Sequence, residues 1–265
     1  MALTGKVAVV TGGGRGIGRA ICIAYAKEGA DLVVASVDPE ENEAVADEVR
    51  ALDRRAFPYQ VDVSDSGQVK AMAEASLAEF GKVDILVSNA GIQRRALLAF
   101  SDEEEWKRVI EVNVYGAYHC CKAFIGGMVE RNEGRVIITS SISGKMANPA
   151  NSSYAVSKHG LIGLARSLAS EVAMLGAKGV TVNAICPGLT NTDIMTGPEG
   201  NIAKLSEMLG KSRKEVWDEI YRPLILQERM LEPEEIAAMA LYLASDDARG
   251  ITGQSINVCG GTIMH

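Results

Sequence analysis

Tyr154 and Lys158 stand four residues apart in the run Tyr154-Ala155-Val156-Ser157-Lys158, and Ser141 follows an apolar run thirteen residues before the tyrosine. On a helix a four-residue step puts two side chains on one face. An ammonium held there favours the phenolate, which is what a proton-transferring tyrosine needs. A hydroxyl such as that of Ser141 can donate a hydrogen bond to the oxygen that exchanges this proton. A Tyr-x-x-x-Lys pair is short enough to arise by chance, so it carries weight only with independent support. That support is the run Thr11-Gly12-Gly13-Gly14-Arg15-Gly16-Ile17-Gly18. It follows the apolar run 7–10 and opens a helical stretch, so its backbone can approach a pyrophosphate while the helix N–H groups and dipole favour the anion. The glycine spacing is wider than Gly-x-Gly-x-x-Gly, and the absence of a Walker lysine disfavours an ATPase.

The elements that must position these groups are short β-branched runs at 7–10, 32–35, 56–61, 85–88, 136–140 and 180–185. They alternate with helical stretches at 18–28, 39–52, 66–80, 102–130 and 153–175, and a last helix and strand are expected at 233–244 and 255–258. Strands apolar at nearly every position belong inside a sheet covered on both faces. Repeated strand, helix, strand predicts an α/β fold with a doubly wound parallel sheet and right-handed crossovers. A chain of 265 residues with 47% hydrophobic content suits one core, so residues 1–265 are expected to form a single domain. The segment at about 189–227 breaks the rhythm: Gly197, Pro198 and Gly200 precede a charged amphipathic stretch containing Trp217. Its length favours a substrate-binding lid over a plain connection.

A net charge of −7 gives no basic footprint, which excludes a nucleic-acid partner. The five cysteines, Cys22, Cys120, Cys121, Cys186 and Cys259, are odd in number and lack metal-ligand spacing, so reduced thiols in a cytoplasm are expected. No apolar stretch reaches about 18 residues and no basic-then-apolar leader precedes the first strand, so a cytoplasmic chain without a membrane partner is expected. His119 and His159 read as structural residues, and no metal site is expected.

From end to end the chain resembles the short-chain dehydrogenase/reductase family. Gly12, Gly14, Arg15, Gly16, Ile17 and Gly18 match the family's cofactor turn, and Asp62-Val63 matches its adenine contact. Ser88-Asn89-Ala90-Gly91 matches its Asn-Asn-Ala-Gly with serine in the first position. Asn113, Ser141, Tyr154 and Lys158 match its catalytic tetrad, and Pro187-Gly188 with Thr192 matches the segment that holds the nicotinamide carboxamide. The resemblance implies a Rossmann-like fold and an NAD(P)-dependent oxidoreductase interconverting a secondary alcohol and a ketone. It also implies that Tyr154 exchanges the proton, that Lys158 lowers its pKa and holds the nicotinamide ribose, and that Ser141 orients the substrate oxygen. Asn113 would hold the water linking Lys158 to solvent. A homotetramer is implied as well, with the helices around Asn113 and Tyr154 packed on symmetry mates; Phe124, Met128, Leu161, Leu164 and Leu168 suit that burial or a monomer core.

Cofactor choice turns on the end of the second strand, where a carboxylate would receive the ribose hydroxyls and repel a 2′-phosphate. That position is Ser36, Asp38 comes two residues late, and Arg15 in the glycine turn suits a phosphate. The balance favours NADP, with NAD as the alternative. For the substrate, Gln93, Arg94 and Arg95 follow the Asn-Ala-Gly segment, while Ser143, Lys145 and Asn151 lie between Ser141 and Tyr154. The run 89–93 is similar to that of bacterial 3-hydroxybutyrate dehydrogenases, but Ser143 and Asn151 stand where those enzymes grip a carboxylate with histidine and lysine. Neutral groups suit a small hydroxylated molecule (a sugar, polyol or hydroxy acid) contacted by Gln93, Arg94, Ser141, Ser143, Asn151 and Tyr154. Two alternatives stand beside it. A 3-oxoacyl-[acyl-carrier-protein] reductase would want a basic rim for its acidic partner, and a non-catalytic NAD(P)-binding redox sensor would have no use for the proton relay.

Overall fold

Every residue of Val7–Thr11 is buried, and its side chains alternate between two core layers. Val7 and Val9 join Val33, Leu86, Val136 and Val182 on one face, while Ala8 and Val10 join Leu32, Val34, Ile85 and Ile185 on the other. A strand of this kind is stable only between two layers of helices, and that is the architecture of the computed structural model, which describes all 265 residues. The strands are β1 (Val7–Thr11), β2 (Asp31–Ser36), β3 (Ala56–Gln60), β4 (Ile85–Ser88), β5 (Gly134–Thr139), β6 (Val180–Pro187) and β7 (Ser255–Val258). They form one parallel sheet in the order β3-β2-β1-β4-β5-β6-β7.

The helices are α1 (Gly16–Lys27), α2 (Pro39–Arg50), α3 (Ser66–Phe80), α4 (Glu103–Ile110), α5 (Gly116–Arg131) and α6 (Ser152–Met174). After them come the short α7 (Asp193–Thr196), α8 (Asn201–Leu209) and α9 (Arg213–Val216), and then α10 (Pro233–Ala244). Helices α1, α2 and α10 cover one face of the sheet, and α3, α5 and α6 cover the other. Strand order reverses between β1 and β4, so the crevice beyond their carboxyl ends is where such a sheet binds ligands. Both the glycine turn and the Asn89-Ala90-Gly91 segment emerge there.

The helix expected as one piece at 102–130 is α4 and α5 joined by a π turn at Glu111–Tyr115, which contains Asn113. A π turn carries one residue more than an α turn, and such bulges concentrate at functional sites. The segment 189–227 folds as α7 to α9 around a small core of its own, in which Met195, Ile202, Val216 and Tyr221 are buried. Phe124, Met128, Leu161 and Leu168 lie inside the main core, and Leu164 packs against it while staying partly exposed. The exposed large apolar side chains of α5, α6 and the π turn before them are Tyr115, Tyr118, Val156 and Met174. No helix is long and apolar enough to cross a membrane, and all five cysteines are free and buried.

Candidate active site

The ends of β1 and β4 are stitched together by side chains. Thr11 Oγ1 accepts from the Asn89 and Ala90 backbone N–H groups at 3.0 and 3.1 Å, and Asn89 Nδ2 donates back to the Thr11 carbonyl at 3.0 Å. Gly18 is pressed so closely on the preceding loop that a Cβ there would lie 1.9 Å from the Gly12 carbonyl oxygen. Helix α1 begins with neither a side-chain cap nor an acidic residue in its first turn. Its first N–H groups are therefore available to an external anion, and the loop fits the pyrophosphate of a dinucleotide. Gly16, at φ +52°, brings this turn against Thr192, whose Cγ2 would lie 3.3 Å from an added Cβ. Gly188 beyond Pro187 is fixed by its N–H bond to the Val258 carbonyl at 2.8 Å.

The nearest carboxylate to the second-strand end, Asp38, is partly engaged. Ser36 Oγ donates to Asn42 Oδ1 at 2.7 Å, and Asp38 Oδ1 caps α2 by accepting from the Glu40 and Glu41 N–H groups at 3.0 and 3.1 Å. Asp38, two residues past the strand end, serves as a helix cap through Oδ1, and the Asp-Pro-Glu-Glu run at 38–41 is a local signal for that role. Arg15 is 68% exposed, lying 3.3 Å from Glu41 and 3.9 Å from Asp193. Asp62 accepts from Ser64 and from Arg108 at 2.6 Å. Val63 turns its side chain into the core against Gly116, so only its backbone remains for a ligand.

Ser141 leaves β5 in an extended conformation, and its Oγ accepts from the Ser143 N–H at 3.1 Å. Ser143 is itself buried and accepts from Asn148. The loop lies hard against α6: Ser140 Oγ donates to the Lys158 carbonyl at 2.8 Å. A Cβ on Gly144 would come within 2.5 Å of that hydroxyl and 2.7 Å of that carbonyl. The helix in turn presents Tyr154 and Lys158 on one face, with Lys158 Nζ 5.4 Å from the tyrosine ring centroid. Lys158 is 3% exposed and donates to the Thr139 carbonyl at 2.8 Å. Burial pulls its ammonium down to about 8.

Burial pushes the Tyr154 phenol up, against a smaller downward pull from the Ser141 hydroxyl and the Arg95 charge. The Lys158 ammonium lies beside the tyrosine ring, and its own charge is costly to hold. The Asn113 side chain spends both amide hydrogens. It accepts from the Ile92 N–H at 2.8 Å and donates to the Ile92 carbonyl at 3.0 Å and to Ser157 Oγ at 2.9 Å. It therefore clips the segment after β4 to α6, with one lone pair of Oδ1 still open.

Beside this group lies a cavity of about 570 Å³ lined by Gln93, Arg94, Arg95, Trp106, Asn201 and Lys204 among others, but not by Ser141 or Tyr154. Gln93 and Asn151, expected to touch substrate, bond each other at 2.7 Å, and Asn201 Nδ2 donates to Gln93 Oε1 at 2.7 Å. Ala150, just before Asn151, adopts φ +54°, a strained value for alanine. Arg94 is exposed and ion-paired to Glu105, whereas Arg95 reaches Asn201 and Tyr221. Arg95, Asn201 and Tyr221 escape a motif-based reading because their contacts join residues more than a hundred positions apart.

The short chain dehydrogenase family profile matches residues 6–200. A 3-oxoacyl-[acyl-carrier-protein] reductase of Thermotoga maritima is 35% identical over 264 residues, covering 100% of both chains. The protein of the same description from Chlamydia trachomatis is 38% identical over 260 residues, covering 98% of each. The crystal structure of levodione reductase superposes with a TM-score of 0.89 at 30% identity, covering 98% of each chain. Likeness of this extent, over a site whose parts converge at one sheet edge, makes the chain a member of the short-chain dehydrogenase/reductase family and an NAD(P)-dependent oxidoreductase acting on CH–OH groups.

Proposed function

We propose that the chain reduces the ketone of a 3-oxoacyl group to the secondary alcohol, the reaction for which its curated relatives are named. The observation that carries this reading is a shared description across relatives matching essentially the whole chain, and it moves the small hydroxylated substrate to second place. Phe100 at the cavity edge, with Leu97 and Leu98 beside it, forms an exposed apolar strip suited to an acyl chain. The second reading, a sugar, polyol or hydroxy acid, keeps one observation in its favour: most residues lining the cavity are polar. The intact relay speaks against a redox sensor.

A reduced nicotinamide held at this site would supply the hydride to the carbonyl carbon. Tyr154 gives its proton to the ketone oxygen, and Ser141 donates a hydrogen bond that fixes that oxygen's position. Lys158 holds the ribose and draws the phenolate's charge once the proton has left. Asn113 positions Ile92 and Ser157, and through them the two walls of the site. Gly12, Gly14, Gly16, Ile17 and Gly18 would hold the pyrophosphate, with Asn89, Ala90 and Gly91 beside it; Asp62 and Val63 would take the adenine, and Pro187, Gly188 and Thr192 the nicotinamide. Neutral Ser36, the helix-capping Asp38 and exposed Arg15 support NADP over NAD. The segment 189–227 serves as a lid. We also infer a cytoplasmic homotetramer, built through the exposed Tyr115, Tyr118 and Val156 faces and visible as a fourfold mass in light scattering.

The test measures nicotinamide absorbance with an acetoacetyl thioester and either NADPH or NADH, alongside sugars and polyols with the oxidised cofactors. Thioester reduction that disappears in Tyr154→Phe, with cofactor affinity retained, supports the proposal. Oxidation of polyols alone would replace it by the second reading.

A further inference from the structure

Two adjacent arginines leave β4 toward the cavity, and their surroundings differ. Arg94 is exposed and satisfied by Glu105. Arg95 is half-buried, and its guanidinium donates to Asn201 Oδ1 at 3.0 Å and Tyr221 Oη at 3.1 Å, both neutral acceptors on the 189–227 segment. The cavity's carboxylates are already engaged: Glu105 with Arg94, Glu199 with Lys204, and Asp102 as the cap of α4. Arg95 is thus the one cavity cation without a carboxylate partner. A guanidinium drawn from water without a counter-charge pays a desolvation cost that an anion relieves, and its planar fork matches a carboxylate. Its position is near the chemistry: hydrogen bonds link it through Asn201 and Gln93 to Asn151, which precedes Tyr154 on the same segment.

The same arginine ends a hydrogen-bonded row. Asn151, Gln93, Asn201, Arg95 and Tyr221 follow one another, tying the residue before α6 and the segment after β4 to the lid. Gln93, Asn201 and Arg95 of this row line the cavity, so a ligand in it meets the row directly. We propose that Arg95 binds a free carboxylate on the substrate, close to the reacting carbon, and that this carboxylate takes the place of Asn201 and Tyr221 as its partner. The inference goes beyond the carrier-bound 3-oxoacyl reading, because it adds free 3-oxo and 3-hydroxy acids as a substrate class. It also supplies from Arg95 the charge that Ser143 and Asn151 lack.

Acetoacetate, methyl acetoacetate and the N-acetylcysteamine thioester of acetoacetate are compared on the full chain with saturating cofactor. Wild type is expected to prefer the acid to the methyl ester by about 10-fold or more in kcat/KM, the range of a charge-assisted contact. Arg95→Met is expected to lose about 10- to 100-fold on the acid and less than about 3-fold on the ester. Asn201→Asp, which gives Arg95 an internal carboxylate, is expected to depress the acid in the same selective way. Tyr221→Phe removes one of the partners that the carboxylate displaces, and is expected to raise kcat/KM on the acid while leaving the ester unchanged. Titration of Trp106 fluorescence with acetoacetate and its ester reads binding independently of turnover. A wild type that prefers the ester, or an Arg95→Met variant that loses both substrates equally, overturns the proposal. Turnover of the thioester without Arg95-dependent binding of the acid overturns it and leaves the 3-oxoacyl reading standing; selective binding of the acid without turnover of any 3-oxo compound supports it and removes that reading.

Discussion

Replacing Lys158 by methionine should abolish turnover and yet make the cofactor-free protein more stable at pH 7. The side chain is 3% exposed, and burial brings the ammonium from 10.5 down to about 8. Each pH unit of that displacement is worth about 1.4 kcal/mol, so holding the charge at pH 7 costs on the order of 3 kcal/mol. Methionine fills a similar volume without charge. The Thr139 carbonyl loses its 2.8 Å donor, a loss of about 1 kcal/mol. The net gain is then about 2 kcal/mol, or roughly 4–8 °C in Tm for a chain of this size. The sign with pH follows from the weaker basicity in the folded state. The unfolded chain binds more protons between about pH 8 and 10.5, so the wild type gains stability as pH rises through that window while the variant does not. Urea titrations followed by tryptophan fluorescence at pH 7 and pH 10 measure both quantities. A variant less stable than wild type at pH 7, or an advantage that persists undiminished at pH 10, would show that burial of the charge is not the dominant effect.

Three further perturbations follow from the same geometry. Ala150→Gly relieves φ +54° and should stabilise the chain by about 0.5–1 kcal/mol, seen as a raised urea midpoint; destabilisation would mean the alanine methyl is needed for packing. Gly144→Ala forces a Cβ between Ser140 Oγ and the Lys158 carbonyl, and should cut kcat by about 10-fold or more through displacement of Ser141 while leaving cofactor affinity within about twofold. Arg15→Ala should weaken NADPH binding by about 10-fold and NADH by less than about twofold in fluorescence titrations; equal losses would assign Arg15 to the shared part of the cofactor.

Most of the scaffold was legible because burial leaves a mark on composition. The strands are apolar at successive positions since both faces of the sheet are covered, and the predicted runs fall on all seven strands to within a residue or two. Tyr154, Lys158 and Ser141 were legible for another reason: their chemistry depends on a short spacing that one helix and one strand end can preserve. What was hidden depends on where side chains end up once distant segments meet. Asp38 sits at the right end of the right strand, but α2 starts immediately after it and its carboxylate caps that helix. Gln93 and Asn151 are polar and near the site, yet each finds an amide partner before any substrate does. The difference between Arg94 and Arg95 is invisible in a dipeptide of identical residues, and is set by Glu105 on one side and by Asn201 and Tyr221 on the other. The Tyr154 pKa could not be read from spacing either, because desolvation outweighs the neighbouring hydroxyl and the Arg95 charge.

The π turn at Glu111–Tyr115 also bears on how this chain tolerates insertions and deletions. A wide turn is an α-helix with one surplus residue, so excising a residue from it would lengthen a regular helix instead of breaking one. Because the wide turn absorbs its extra residue within one revolution, α4, which presents Trp106 to the cavity, and α5, which presents Cys120 and Phe124 to the core, would keep nearly the same phase. Asn113 would lose its grip on Ile92 in the process. The surplus residue therefore serves the site and not the packing of the two helices. A shortened chain would keep its helix content in circular dichroism while losing the site, a form of damage that a fold-level assay would miss.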